Sequence, residues 1–206
     1  MHQLYRLGFD IDEVVSTLSD VLVAHAKKEY GVDFKKENYG HYESFIGHQY
    51  IPGDPDKSKS IGLKLMEDAC NPHIQNTAIP IKDSPKTILK WKNLNHKIYF
   101  VSSRNIGEEE HTKKWLNNYG IPFDGVYHLG HNISKGVFCK DLKLDFFLED
   151  MVSHLIELFE VKNYWRKGLL LFNRPWNLKA DLTHFPISRC HTWTDVDSHL
   201  TSYGDY

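Results

Sequence analysis

Short apolar runs alternate with amphipathic ones along most of the chain. Residues 4–9, 97–101, 125–128, 145–148 and 168–172 are rich in leucine, β-branched or aromatic side chains and have the length of buried strands. Between them, residues 84–94, 108–119, 134–142 and 151–161 space their apolar positions at helical intervals. The first of these opens on Asp83-Ser84-Pro85, and the second stops at Gly120. Strands alternating with helices predict a parallel sheet covered on both faces, because each parallel pair needs a crossover that packs back on the sheet. The expected fold class is α/β, a doubly wound parallel sheet.

Residues 10–96 break the alternation, since one crossover helix needs far fewer. Residues 16–30 read as a helix with Val21, Leu22 and His25 on one face, 31–55 are rich in aromatics and glycine, and 57–69 read as a second helix. The expected organisation is a core of residues 1–14 and 80–206 with a small, mainly helical cap, 15–79, inserted after the first strand. Ligands of open α/β sheets bind outside the carboxyl ends of the strands, where such a cap would cover them.

Composition narrows the partners. With 206 residues the chain is long enough for one domain with a sizeable core, and a net charge of -2 from interspersed acids and bases leaves no broad basic surface for long nucleic acid. The three cysteines are widely spaced with no CxxC pair, which argues against a disulfide framework and suits a reducing cytoplasm. No apolar run is long enough to span a bilayer, so no membrane partner is expected. The thirteen histidines lack ligand spacing and read as surface or structural residues.

In a parallel sheet the residues that end each strand share one edge. The first strand delivers Asp10 and Asp12, whose i, i+2 spacing sends both carboxylates the same way. Two acids so close call for a cation, and all-oxygen ligands favour Mg²⁺. The second strand delivers Ser102 and Ser103, with Arg104 beyond. Lys135 opens the helix leading to the strand that ends at Glu149 and Asp150. Such a set suits phosphoryl transfer. Asp10 can attack phosphorus, and Asp12 can protonate the leaving oxygen and then activate water. Asp10, the Asp12 carbonyl and Asp150 can hold Mg²⁺, with Glu149 in support, while Ser102, Ser103, Arg104 and Lys135 can bind the phosphate oxygens.

This ordered set resembles the haloacid dehalogenase superfamily of phosphohydrolases, with DxDx[TV] matched by Asp10 to Val14, followed by Ser102, Lys135 and the Glu149-Asp150 pair. The ending, with Phe172-Asn173-Arg174-Pro175-Trp176-Asn177 and a late Trp193, is similar to the 5′-nucleotidase C type, the deoxyribonucleotidase-like branch. The resemblance implies a Mg²⁺-dependent hydrolase of a small phosphate monoester, a nucleoside or deoxynucleoside monophosphate. The alternatives are a phosphatase for a sugar phosphate or other metabolite, and a non-catalytic nucleotide- or metal-binding protein. Glu13 stands where many relatives have glycine, either adding a third acid beside the metal site or pointing to solvent. Lys140 competes with Lys135 for the lysine position. In the cap, Tyr39, His41, Tyr42, Phe45, His48 and Tyr50 form an aromatic and imidazole cluster that reads first as the cap's own core, with Tyr42 and Phe45 as the candidate substrate contacts. Arg174, Trp176 and Asn177 are expected to be structural.

Overall fold

The structure, a computed structural model, describes residues 3–40, 42–161 and 168–203, leaving aside the side chains of residues 38, 42–44 and 203. Six parallel strands form one sheet in the order β3-β2-β1-β4-β5-β6. They are β1 (Arg6–Phe9), β2 (Lys97–Ser102), β3 (Gly125–His128), β4 (Phe146–Glu149), β5 (Leu169–Phe172) and β6 (Ile187–Cys190). The chain moves outward from β1 to β3 and then returns to place β4 on the other side of β1. The carboxyl ends of β1 and β4 therefore flank the switch point, the crevice in which sheets of this order bind ligands.

Alternation along the strands sorts the core into two layers. Leu7 and Phe9, Ile98 and Phe100, Phe146 and Leu148, and Leu170 and Phe172 face α5 (Ser84–Asn93), α6 (Glu109–Asn118) and α9 (Trp193–Tyr203). Tyr99 and Val101, Phe147, and Leu169 and Leu171 face α7 (Lys135–Asp141) and α8 (Val152–Val161). Gly8 lies between these layers in β1, where a Cβ would come within 2.5 Å of Leu144 and 2.6 Å of Phe147. Large side chains thus fill both faces around the strand that carries the first acid.

The long interval after β1 is helical: α1 (Leu18–Tyr30), a 3₁₀ turn (Lys36–Asn38), α2 (Tyr42–Gly47), α3 (Pro55–Ala69) and α4 (Pro72–Gln75). These elements bury an apolar cluster of their own, including Leu22, Phe34, Phe45, Ile61 and Leu65. Its entry and exit run side by side. Thr17 N–H donates to Ile79 O (3.0 Å), and Ile81 N–H donates to Val15 O (2.7 Å). Two buried core tryptophans hold the same two segments, Trp193 Nε1 on Val14 O (3.0 Å) and Trp115 Nε1 on Ala78 O (2.7 Å). Among the described residues no helix is long and apolar enough to cross a membrane.

Candidate active site

β1 delivers Asp10 at the switch point, and its N–H continues the ladder by donating to Leu148 O (2.9 Å). Lys135 is the first residue of α7, whose N-cap Ser134 accepts from Val137 N–H. That start turns the lysine inward, and its Nζ donates to Asp10 Oδ1 (2.8 Å) and Glu149 Oε2 (2.7 Å). Lys135 is the lysine of the site, while Lys140 is exposed on the same helix. Glu149 Oε1 accepts from the N–H groups of Asp150 and Met151 (both 3.2 Å), and His154 Nδ1 lies 3.4 Å from Oε2. Burial alone would protonate Glu149, but Lys135 and His154 outweigh it and hold the carboxyl below its ordinary range.

Asp10 and Asp150 are placed differently. Burial and the charge of Glu149 push the Asp10 carboxyl up to about 7, although Lys135 pulls the other way. Burial, then Glu149 and Asp10, push Asp150 well above the carboxylate range. Oxygens of Asp10, Glu149 and Asp150 all lie within 4.8 Å of one another. Three buried carboxylates sharing one ammonium carry a charge excess that a divalent cation would neutralise, and the hard oxygen donors fit Mg²⁺. Lys135 takes one oxygen of Asp10 and Trp176 Nε1 one oxygen of Asp150 (3.0 Å), leaving each acid a second oxygen. Both oxygens of Glu149 already accept hydrogen bonds, so its part is to hold Lys135 and the turn after β4.

Asp12 lines the same cavity but has a separate set of partners. Arg104 grips its carboxylate with two bonds, Nε to Oδ2 (2.9 Å) and Nη2 to Oδ1 (2.7 Å), and Ser16 Oγ donates to Oδ1 (3.0 Å). Burial works against the anion, but these partners prevail and lower its pKa. The Asp12 carboxylate lies outside the group of metal-suited oxygens, which leaves the expected carbonyl as its route to an ion. Ser102 is buried beside it, accepting from Arg104 N–H (3.3 Å), and Ser103 is half-buried on the same rim. Glu13 does not point to solvent. It is buried, with φ +63°, and Oε1 accepts from Ser19 N–H (2.6 Å) while its carbonyl accepts from Arg174 Nε (2.6 Å). The left-handed backbone explains why glycine suits this position.

The acids, both serines, Arg104 and Lys135 line a cavity of about 600 Å³ that Tyr39, Phe45, Met66, Cys70 and Gln75 wall from the helical side. Phe45 reaches this wall and stacks on Phe34 with ring centroids 5.0 Å apart. The Tyr42 side chain and the whole of His41 lie outside the described residues. Tyr39, a member of the aromatic cluster beyond the two candidate contacts, lines the cavity as well. It sits close enough to Asp12, Glu13 and Asp150 that they, after burial, raise its phenol well above the usual range.

Trp176 and Asn177 brace the turn that carries Asp150. Trp176 holds the Asp150 carboxylate and meets the Tyr39 ring at 5.3 Å, while Asn177 Nδ2 donates to the carbonyls of Asp150 and Phe172 (both 2.8 Å). The available signal was the tight Pro175-Trp176-Asn177 turn after β5, which lies next to β4 only once the strand order is known.

Comparison with known proteins agrees with this geometry. No family profile matches the chain. A Bacillus cereus protein, provisionally named a nucleotidase, is 23% identical over 201 residues, covering 93% of this chain and 95% of its own. A second provisionally named nucleotidase, from Oceanobacillus iheyensis, is 23% identical over 150 residues, or 71% of this chain and 77% of that one. Among solved structures, a haloacid dehalogenase-like hydrolase from Streptococcus pneumoniae superposes with a TM-score of 0.63 at 14% identity, over 96% of this chain and 98% of that one. A haloacid dehalogenase family hydrolase from Deinococcus radiodurans, with bound phosphate and sodium, does so at 0.63 and 12% identity, over 99% of this chain and 98% of that one. The strand order and the superpositions show that the chain shares the fold of these haloacid dehalogenase-like hydrolases, with its buried acids at the switch point of the sheet.

Proposed function

We propose that the protein is a Mg²⁺-dependent phosphatase that hydrolyses nucleoside or deoxynucleoside monophosphates through an aspartyl-phosphate. The observation that carries this reading is the buried grouping of Asp10, Glu149 and Asp150 around Lys135 at the floor of an apolar-walled cavity. Asp10 is the nucleophile. One of its oxygens bonds to phosphorus as the ester oxygen leaves, and Asp12, carrying the proton it took from water in the preceding turnover, gives that proton to the leaving oxygen. Asp12 then takes a proton from the water that attacks the aspartyl-phosphate, which releases phosphate and frees Asp10.

Lys135 and the Ser102 hydroxyl stabilise the charge on the transferring group. Asp10, Asp150 and the Asp12 carbonyl would hold Mg²⁺, which supplies polarisation of the phosphate oxygens and relieves repulsion between them and the acids. Residues 15–79 serve as the cap. Their Tyr39 and Phe45 offer flat apolar surface to a base, and the cavity volume is of the size that takes a nucleotide-sized ligand. The names of the sequence relatives support the same substrate class. The three cysteines stand as thiols, which suits a cytoplasmic setting.

The test is phosphate release by purified protein from a panel of ribo- and deoxyribonucleoside monophosphates and from ribose 5-phosphate and glycerol phosphate, with Mg²⁺ or with EDTA. A kcat/KM advantage of the nucleotides that disappears in EDTA is the expected result. Faster turnover of the base-free esters would move the assignment to sugar phosphates, and turnover of none of them would leave a binding protein.

A further inference from the structure

Arg104 has a buried network that phosphate binding does not require. Its side chain is 3% exposed, and three of its N–H groups are committed: two to Asp12, and one from Nη1 to Thr112 Oγ1 (2.8 Å). Thr112 lies in the first turn of α6 and is 1% exposed, and its Oγ1 is 3.0 Å from His128 Nε2 at the end of β3. His128 Nδ1 is 2.9 Å from the carbonyl of Asn105, the residue after Arg104.

The direction of every bond in this ring follows from its ends. A carbonyl only accepts, so Nδ1 carries the imidazole proton. In the neutral ring Nε2 then accepts from the Thr112 hydroxyl, and the hydroxyl oxygen is left to accept from Arg104. Burial, which disfavours the imidazolium, keeps His128 neutral, in line with its lowered pKa. Elements from three places in the chain thus converge on one guanidinium and fix its plane, and the fork fixes the plane of the Asp12 carboxylate.

We propose that Arg104, aimed by Thr112 and His128, is a positioning residue that orients Asp12 for proton transfer to the leaving oxygen, and that it does not clamp the phosphate. The proposal rests on the phosphatase reading above. Three of the five N–H groups of this guanidinium are committed, two of them as a fork on the acid beside it, which ties its plane to Asp12. Lys135 keeps one ammonium N–H beyond its bonds to Asp10 and Glu149.

Proton donation matters for an alkyl leaving group and little for a nitrophenolate. The experiment therefore compares kcat/KM for a nucleoside monophosphate and for p-nitrophenyl phosphate, which reports the first phosphoryl transfer. Wild type, Arg104→Met, Thr112→Val, Thr112→Ser and Asp12→Asn are measured with saturating Mg²⁺. Arg104→Met should lose about 100-fold on the nucleotide, within the range of general acid catalysis, and under about 5-fold on the aryl ester. Thr112→Val should lose about 10-fold on the nucleotide only, and Thr112→Ser, which keeps the hydroxyl, should restore it. Asp12→Asn should show the same selectivity at full strength.

Equal losses on both esters in Arg104→Met and Thr112→Val would overturn the proposal in favour of a phosphate clamp or general damage. Unchanged kinetics in both would also overturn it. Wild-type protein that hydrolyses neither ester would instead sink the phosphatase reading itself, and the proposal with it.

Discussion

Trp176 illustrates how much of this site depends on residues that do no chemistry. Its indole N–H holds one oxygen of the Asp150 carboxylate, which lies in the group of acids with Asp10 and Glu149. Replacing it with phenylalanine keeps a ring for Tyr39 to pack on and removes the donor. Partners of a metal-binding side chain typically tune affinity by about 10- to 100-fold. Trp176→Phe should therefore raise the Mg²⁺ concentration for half-maximal activity by about 10-fold while leaving kcat at saturating Mg²⁺ within about 3-fold. An activity titration with Mg²⁺ checks this, and an unchanged half-saturation point would contradict it.

The acids themselves were legible in the sequence, because strand periodicity and a parallel sheet suffice to bring Asp10, Lys135 and Asp150 to one edge. The partners were not. Trp176 meets Asp150 across 26 positions, and Thr112 meets His128 across 16, distances that no local pattern encodes. Glu13 misled for a different reason: an acid after a strand ordinarily faces water, but here the chain turns left-handed and folds the carboxylate under α1 to meet Ser19.

At the scale of elements, the cap helices depend on one close approach. A Cβ on Gly62 in α3 would stand 2.1 Å from Phe45 O and 2.9 Å from Ile46 Cα, both in the backbone of α2. Gly62→Ala gains about 1 kcal/mol of helix propensity, yet it must part α2 from α3. Overpacking of this kind costs about 1–3 kcal/mol. The clash is with backbone, so the loss should prevail, and thermal unfolding should show a lower Tm with the KM for nucleotide raised. An equal or higher Tm would mean that the two helices move apart freely.

The same scale shows where patterning gives out. β1 to β5 each carry a short apolar or aromatic run and were legible. β6 reads Ile-Ser-Arg-Cys with its two middle residues half-exposed, as an edge strand can, and periodicity passes over it. α2 and α4 span six and four residues, too few for a helical repeat to register.

For the whole molecule, the site makes stability depend on pH and metal together. The unfolded Asp10 carboxyl loses its proton near its ordinary value of 3.8, but in the folded chain it keeps it up to about 7. The folded state therefore binds more protons across that window, and stability present at low pH is lost as pH rises through it. Asp150 shifts in the same direction. In EDTA this contribution should fall between pH 5 and pH 7.5. A divalent cation that replaces the protons should raise Tm more at pH 7.5 than at pH 5. Thermal melts with and without Mg²⁺ at the two pH values test this, and an equal rise at both would separate the acids from the metal.

The central claim is that Asp10 takes the phosphoryl group. Rapid acid quench of the protein turning over a nucleoside monophosphate with Mg²⁺, followed by peptide mass analysis, addresses it directly. The expected product is a hydroxylamine-labile phosphoryl group on the peptide containing Asp10, absent in folded Asp10→Asn, which should also release no phosphate. Turnover by Asp10→Asn at the wild-type rate, or a phosphoryl group trapped on a different residue, would contradict the account.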